Sequence, residues 1–219
     1  MIISSARITA LVLFMVIGAV SVSPIMGQQR TPSKIPPLRI IKYDGDMASL
    51  LAVLSKDFGV TIGLEIAPKQ LQPRVSLYVK DATLADILNA IVKSAPAYEW
   101  RERNGCIEVL PVEGSNPFLD TMINSFQVTE VDHTEAVNRL LNLPDVQANL
   151  TSMSLTRKEL SNTSATRAYA TRTGKLSVKL EGVTVRQALS TIANESRARF
   201  WIFQPLGNGL FTISNEPMY

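Results

Sequence analysis

Glu130, Asp132 and Glu135 cluster around the single histidine of the chain, His133, and carboxylates grouped in this way can do acid–base work. The surrounding pattern points elsewhere. Asp132 is placed to cap a helix, with Glu135 three residues on, and His133, Ala136, Val137 and Leu140 fall at i, i+3, i+4 and i+7. Carboxylates at a cap and in a first turn favour the positive end of the helix dipole, which gives them a structural use. His133 then reads as a packing residue at the helix start rather than a base or ligand. The only cysteine, Cys106, rules out an internal disulfide. It stands one residue after Gly105, where Leu210 stands after Gly209, and an apolar counterpart suggests a small buried hydrophobe rather than a reactive thiol. One histidine and one cysteine are too few for a metal site of imidazole or soft ligands. No G-x-S-x-G elbow, phosphate-binding glycine loop or dinucleotide fingerprint occurs. The expectation is a non-enzymatic protein with no catalytic residue, metal or cofactor.

The elements that would hold these residues are written twice. Val75, Leu77 and Val79 alternate with Ser76, Tyr78 and Lys80. At an offset of 101, Leu176, Val178 and Leu180 alternate with Ser177, Lys179 and Glu181. That period of two predicts a half-buried strand. The period then changes. Leu84, Ile87, Leu88 and Ile91 form one helical stripe, as do Val185, Ala188, Leu189 and Ile192, each behind a cap pair, Thr83 with Asp86 and Thr184 with Gln187. Both copies close in a hairpin: Tyr98 to Val109 around Asn104-Gly105, and Phe200 to Ile213 around Pro205 to Gly209. Trp100 and Trp201, again 101 apart, are expected in the cores, sealing strand against helix. Ahead of these lie Leu38–Tyr43 and a stripe of Met47, Leu50, Leu51 and Leu54 behind Asp46 in the first copy; in the second, Phe126–Val128 precedes the His133 stripe. The predicted third element is a strand at Thr61–Ile66 in one copy and a weaker strand near Val146 to Leu150 in the other. The fold class is α+β, two tandem small domains, each strand-helix-strand-strand-helix-strand-strand.

The run from Asp81-Ala82-Thr83-Leu84 through Trp100, Asn104-Gly105 and Ile107, and its echo from Glu181 through Trp201 to Ile213, resembles the short N-terminal domain of secretins and TonB-dependent receptors. That domain has an alternating strand, a Thr/Ser-Leu-x-x-x-Leu helix start and an aromatic hairpin. The resemblance covers residues 38–111 well and 124–214 less well. It implies a small α+β fold used for periplasmic contacts with envelope components. No secretin-ring or barrel sequence follows before Tyr219, so transport and gating are not implied.

Residues 1–27 read as a signal peptide or a retained N-terminal anchor. Arg7 precedes an uncharged run over 8–26, with small residues at Ala19-Val20-Ser21 and at Gly27. Both outcomes imply export: periplasmic or secreted if cleaved, inner-membrane anchored and facing the periplasm if retained. Residues 28–37 are a disordered lead-in, 112–123 a linker, and 215–219 a tail. A Ser/Thr-rich insertion at 151–174 has no equivalent in the first copy. The net charge of +3 is concentrated there, in Arg157, Lys158, Arg167 and Arg172. Nucleic acid is not expected, since it would need a denser basic stripe interleaved with aromatics.

The functional expectation is an exported protein-interaction module of the bacterial envelope, binding envelope proteins through its small repeats, within a secretion or transport assembly. The alternative is a membrane-anchored adaptor for cell-wall glycan or lipid. The candidate partner-binding residues are the outward strand positions Ser76, Tyr78, Lys80, Ser177, Lys179 and Glu181, with Arg157, Lys158, Arg167 and Arg172 of the basic insertion.

Overall fold

The computed structural model describes residues 38–68, 70, 73–158 and 174–215, with side chains from residue 41. The leader, the lead-in, Arg167, Arg172 and most of the insertion lie outside the described residues. Among the described residues no helix is long and apolar enough to cross a membrane.

The fold is α+β. The first copy runs β1 (Leu38–Asp46), α1 (Met47–Asp57), β2 (Thr61–Glu65), β3 (Arg74–Ala82), α2 (Leu84–Ser94), β4 (Tyr98–Arg103) and β5 (Cys106–Pro111). The second runs β6 (Met122–Val131), α3 (His133–Leu141), α4 (Pro144–Ser152), β7 (Thr156–Arg157), β8 (Leu176–Thr184), α5 (Val185–Glu195), β9 (Phe200–Gly207) and β10 (Leu210–Ser214). The start signals are realised as hydrogen bonds. Asp46 and Asp132 accept from Ser49 N and Glu135 N, and Thr83/Asp86 and Thr184/Gln187 both form complete capping boxes. Each hairpin turns on Asn-Gly with both residues at positive φ, 53° and 72° at Asn104-Gly105 and 51° and 73° at Asn208-Gly209. That is the type I′ geometry.

One expected strand is corrected. Val146 to Leu150 lies in α4, because Pro144 fixes the first helical φ, Asp145 suits the first turn, and Val146 and Leu150, four apart, bury the same face. The strand that the repeat requires comes later, as the two-residue β7 beside β10. Residues 151–158 of the expected insertion therefore complete α4 and form β7.

Each copy contributes a two-stranded antiparallel ribbon, β1–β3 or β6–β8, and three strands to one shared six-stranded sheet in the order β4-β5-β2-β9-β10-β7. The trio β4-β5-β2 recurs as β9-β10-β7 in the same order. Since β2 is parallel to both β5 and β9, every strand of the second trio runs opposite to its counterpart. Only a half-turn about an axis lying in the sheet, across the strands, does this, and it carries the helices of the second copy to the other face. The cores follow suit. Ile62, Leu64, Phe200 and Ile202 join the core of α1 and α2, while Trp201 and Phe203 join the core of α3, α4 and α5. Strand β9 thus feeds both cores by simple alternation.

The segment expected as a linker is tied down. A short 3₁₀ turn at Pro117–Asp120 buries Phe118 and Leu119 completely, and Phe118 packs on Phe203 and Phe211 with ring centroids 6.1 and 5.3 Å apart.

Candidate functional site

The only charged pair with both side chains buried among the described residues sits where the copies meet. Glu65, at the end of β2, points to the face of the second copy, and Arg186, on the first turn of α5, reaches it; both side chains are 2 % exposed. Arg186 Nη2 donates to Glu65 Oε2 at 2.8 Å and also to Ser115 Oγ. Ser115 Oγ donates to Glu65 Oε2 at 2.9 Å, and Asn116 N–H donates to Glu65 Oε1. Asp120 stands 3.6 Å from Arg186 Nε. The Glu65 carboxylate thus accepts three bonds, two on Oε2 and one on Oε1. These bonds tie β2, the 115–116 segment and α5 together as a structural lock. Beside it Gly63 lies directly under Trp201, where a Cβ would come within 2.3 Å of the indole ring. Neither the lock nor Gly63 was singled out from the sequence. A glycine in the middle of a strand is the signal that marks a close approach of another group.

The clustered carboxylates near His133 are structural. Asp132 caps α3, Glu135 pairs with Arg139 at 2.7 Å, and Glu130 adopts φ 53° at a β-bulge. His133 is buried and its Nδ1 shares a 2.8 Å hydrogen bond with Ser196 Oγ, near the C-terminal end of α5. Burial pulls its pKa down from 6.5 to about 4, with Asp132 opposing. Above 6.5 the ring is neutral in both folded and unfolded chains. Below that the unfolded chain takes up the proton first, so stability falls as pH drops from 6.5 towards 4. The full loss is about 3 kcal/mol. Urea unfolding midpoints at pH 7.5 and 4.5 should therefore differ clearly for the native chain and much less for His133→Gln. Equal pH slopes would remove the histidine as the cause. Cys106 is buried beneath α5 and burial pushes its thiol to about 11, which keeps it protonated and inert.

The expected interaction residues do not form one site. Ser76, Tyr78 and Lys80 are exposed on the outer face of the first ribbon, and Ser177, Lys179 and Glu181 on that of the second, on opposite sides of the shared sheet. The two ribbons also differ locally. In the second, Ser177 Oγ accepts from Glu130 N–H at 3.0 Å and Lys179 pairs with Glu181 at 3.0 Å. In the first, Tyr78 is 66 % exposed opposite Lys42. The Ser76 N–H leaves the ladder to reach Ser94 Oγ at 3.0 Å. Alternation then turns the backbone groups of Tyr78 and Lys80 outward too, and among the described residues no strand pairs with that edge. Arg157 donates to Asn138 Oδ1 at 2.7 Å, beside His133, whereas the Lys158 side chain is exposed.

No protein-family model, no curated protein and no solved structure matches this chain.

Proposed function

We propose that the chain is an exported, non-enzymatic interaction module of the bacterial envelope, made of two short N-terminal-type repeats, that binds an envelope protein within a secretion or transport assembly. The observation that supports this reading most is the outer edge of β3. There a strongly exposed tyrosine stands between Ser76 and Lys80, and successive backbone groups turn away from the ribbon. An open strand edge can take a partner strand through main-chain hydrogen bonds, with alternate side chains giving selectivity. The first ribbon is favoured over the second, because the polar groups of the second already satisfy one another. A photocrosslinking amino acid at Tyr78, compared with one at Lys179, tests this in the native host. The expected result is a discrete protein adduct at Tyr78, identified by mass spectrometry, that is at least several-fold weaker at Lys179. Adducts only with lipid or wall glycan would favour the adaptor reading, and no adduct above background at Tyr78 would overturn the proposal.

A further inference from the structure

The two tryptophans share one inner environment and have different outer ones. Trp201 Nε1 donates to Ser190 Oγ at 3.1 Å, and Trp100 Nε1 donates to Asn89 Oδ1 at 2.9 Å; Asn89 and Ser190 are themselves repeat counterparts. On its outer side Trp201 is roofed by Gly63 of β2 and is 1 % exposed. Trp100 is only half-buried, and among the described residues no strand lies beyond β4. The backbone agrees. The carbonyls of Arg199 and Phe203 accept from Ile62 N–H and Ile66 N–H, both at 2.9 Å, so β9 offers those positions to β2. Their counterparts are Tyr98 and Glu102. Arg103 and Cys106 flank a two-residue turn, which makes Arg103, Arg101 and Glu99 the ladder-bonded positions and turns Tyr98, Trp100 and Glu102 outward. The edge that the second copy fills with β2 is open in the first.

We infer that the β4 edge accepts an extended segment of a partner protein, parallel to β4, with a glycine against Trp100, a basic residue before it and an acidic residue after it. The intramolecular β2–β9 pair supplies the template. Glycine is required because the Gly63 backbone leaves no room for a Cβ beneath the ring, and Trp100 is held by the same kind of bond. The flanking charges follow from the register. Ile62 and Leu64 lie opposite Phe200 and Ile202, and the β4 counterparts of those apolar residues are Glu99 and Arg101. Glu99 calls for a basic residue. Arg101 pairs with Glu108 at 2.8 Å but keeps its side chain 43 % exposed and so can share an acidic one. An open cleft of about 400 Å³, lined in part by Arg74, Pro96, Ala97 and Tyr98, lies at the start of β4, where the leading residues of a parallel segment pass. A second copy of this chain fits less well. The other free edge of the sheet, among the described residues, is β7. Its Thr156 pairs with Leu210 just after the Asn-Gly turn, as Thr61 pairs with Cys106. The position of Gly63 is then taken by Lys158, whose Cβ would meet the ring.

The inference rests on the interaction reading but uses a different edge. A crosslink at Tyr78 without binding at β4 removes only this inference, and the reverse result removes only that reading. The probe is a fluorescein-labelled decapeptide of Thr and Val with a central Arg-Gly-Glu, titrated into the full chain by fluorescence anisotropy. Saturable binding is expected, about tenfold weaker for the Arg-Ala-Glu peptide and for the Glu102→Pro protein, in which proline removes an outward N–H that no ladder bond uses. Amide exchange gives a second readout should that variant fold poorly: the N–H groups of Trp100 and Glu102 should become protected when the peptide is added to the native protein. Equal binding of both peptides, no binding, or unchanged exchange at Trp100 and Glu102 overturns the inference. So does concentration-dependent self-association that Glu102→Pro abolishes, since a second copy would then occupy the edge.

Discussion

Replacing Glu65 by alanine is expected to lower stability by about 3–5 kcal/mol, because it leaves Arg186 charged and 1 % exposed, with the neutral Ser115 hydroxyl and, at 3.6 Å, Asp120 as its remaining partners. It also removes the acceptor of Ser115 Oγ and Asn116 N–H, so three donors lose their partner together. Arg186→Ala should cost somewhat less, since the carboxylate keeps the Ser115 and Asn116 donors. The two changes should not add. Once either partner is gone, removing the other relieves an unpaired charge, so Glu65→Ala/Arg186→Ala should lose clearly less stability than the sum of the two single changes. Chemical denaturation of the four proteins measures this cycle. Additive losses would mean that the pair is not the unit that joins β2 to α5. Because the lock ties the first copy to the second, the single variants should also loosen the β2–β9 pairing, which amide exchange at Ile62 and Ile66 would report.

Gly63→Ala is the second large effect. Its Cβ would stand 2.3 Å from two atoms of the Trp201 indole, and the ring cannot swing away, being fully buried and tethered to Ser190. Overpacking of a closed core costs typically about 1–3 kcal/mol, and the central position of Gly63 in the sheet puts it at the upper end of that range. In a Trp201→Phe background the smaller ring makes room, so alanine at 63 should cost much less there. A strong coupling of this sign in a double-mutant cycle is the expected result. A loss below about 0.5 kcal/mol for Gly63→Ala in the native background would show that β2 and β9 do not approach as closely as the structure has them.

Much of the local structure was legible because it rests on short-range physics. The alternation at Val75–Val79 and Leu176–Leu180, the stripes behind Thr83 and Thr184, and the Asn104-Gly105 turn depend on neighbours within four residues, whereas the second turn, expected over Pro205 to Gly209, narrows to Asn208-Gly209 because β9 runs on to Gly207. The expected strand near Val146 to Leu150 failed for the same kind of reason, since Pro144 and the four-residue spacing of Val146 and Leu150 were local helix signals outweighed by the demand of the repeat. Trp100 was expected in a core as fully as Trp201, and from sequence the two are equivalent. The difference is that β2 covers one while no described strand lies beyond the other. The outward positions Ser76, Tyr78, Lys80, Ser177, Lys179 and Glu181 follow from parity alone and are exposed. That the side chains of the second set find partners within their ribbon while Tyr78 stays exposed depends in part on a bulge at Glu130 that no spacing encodes.

The sequence by itself determined the elements of each copy and the repeat that relates them, because periodicity, caps and turns are properties of adjacent residues. It determined neither how the copies meet nor what their meeting buries. Gly63 and Trp201 stand far apart in the chain, as do Glu65 and Arg186, and each gains its meaning only when β2 lies beside β9. Tertiary structure decided that the two copies share a sheet, with helices on opposite faces, because strand order and direction are set by long-range pairing that no local pattern records.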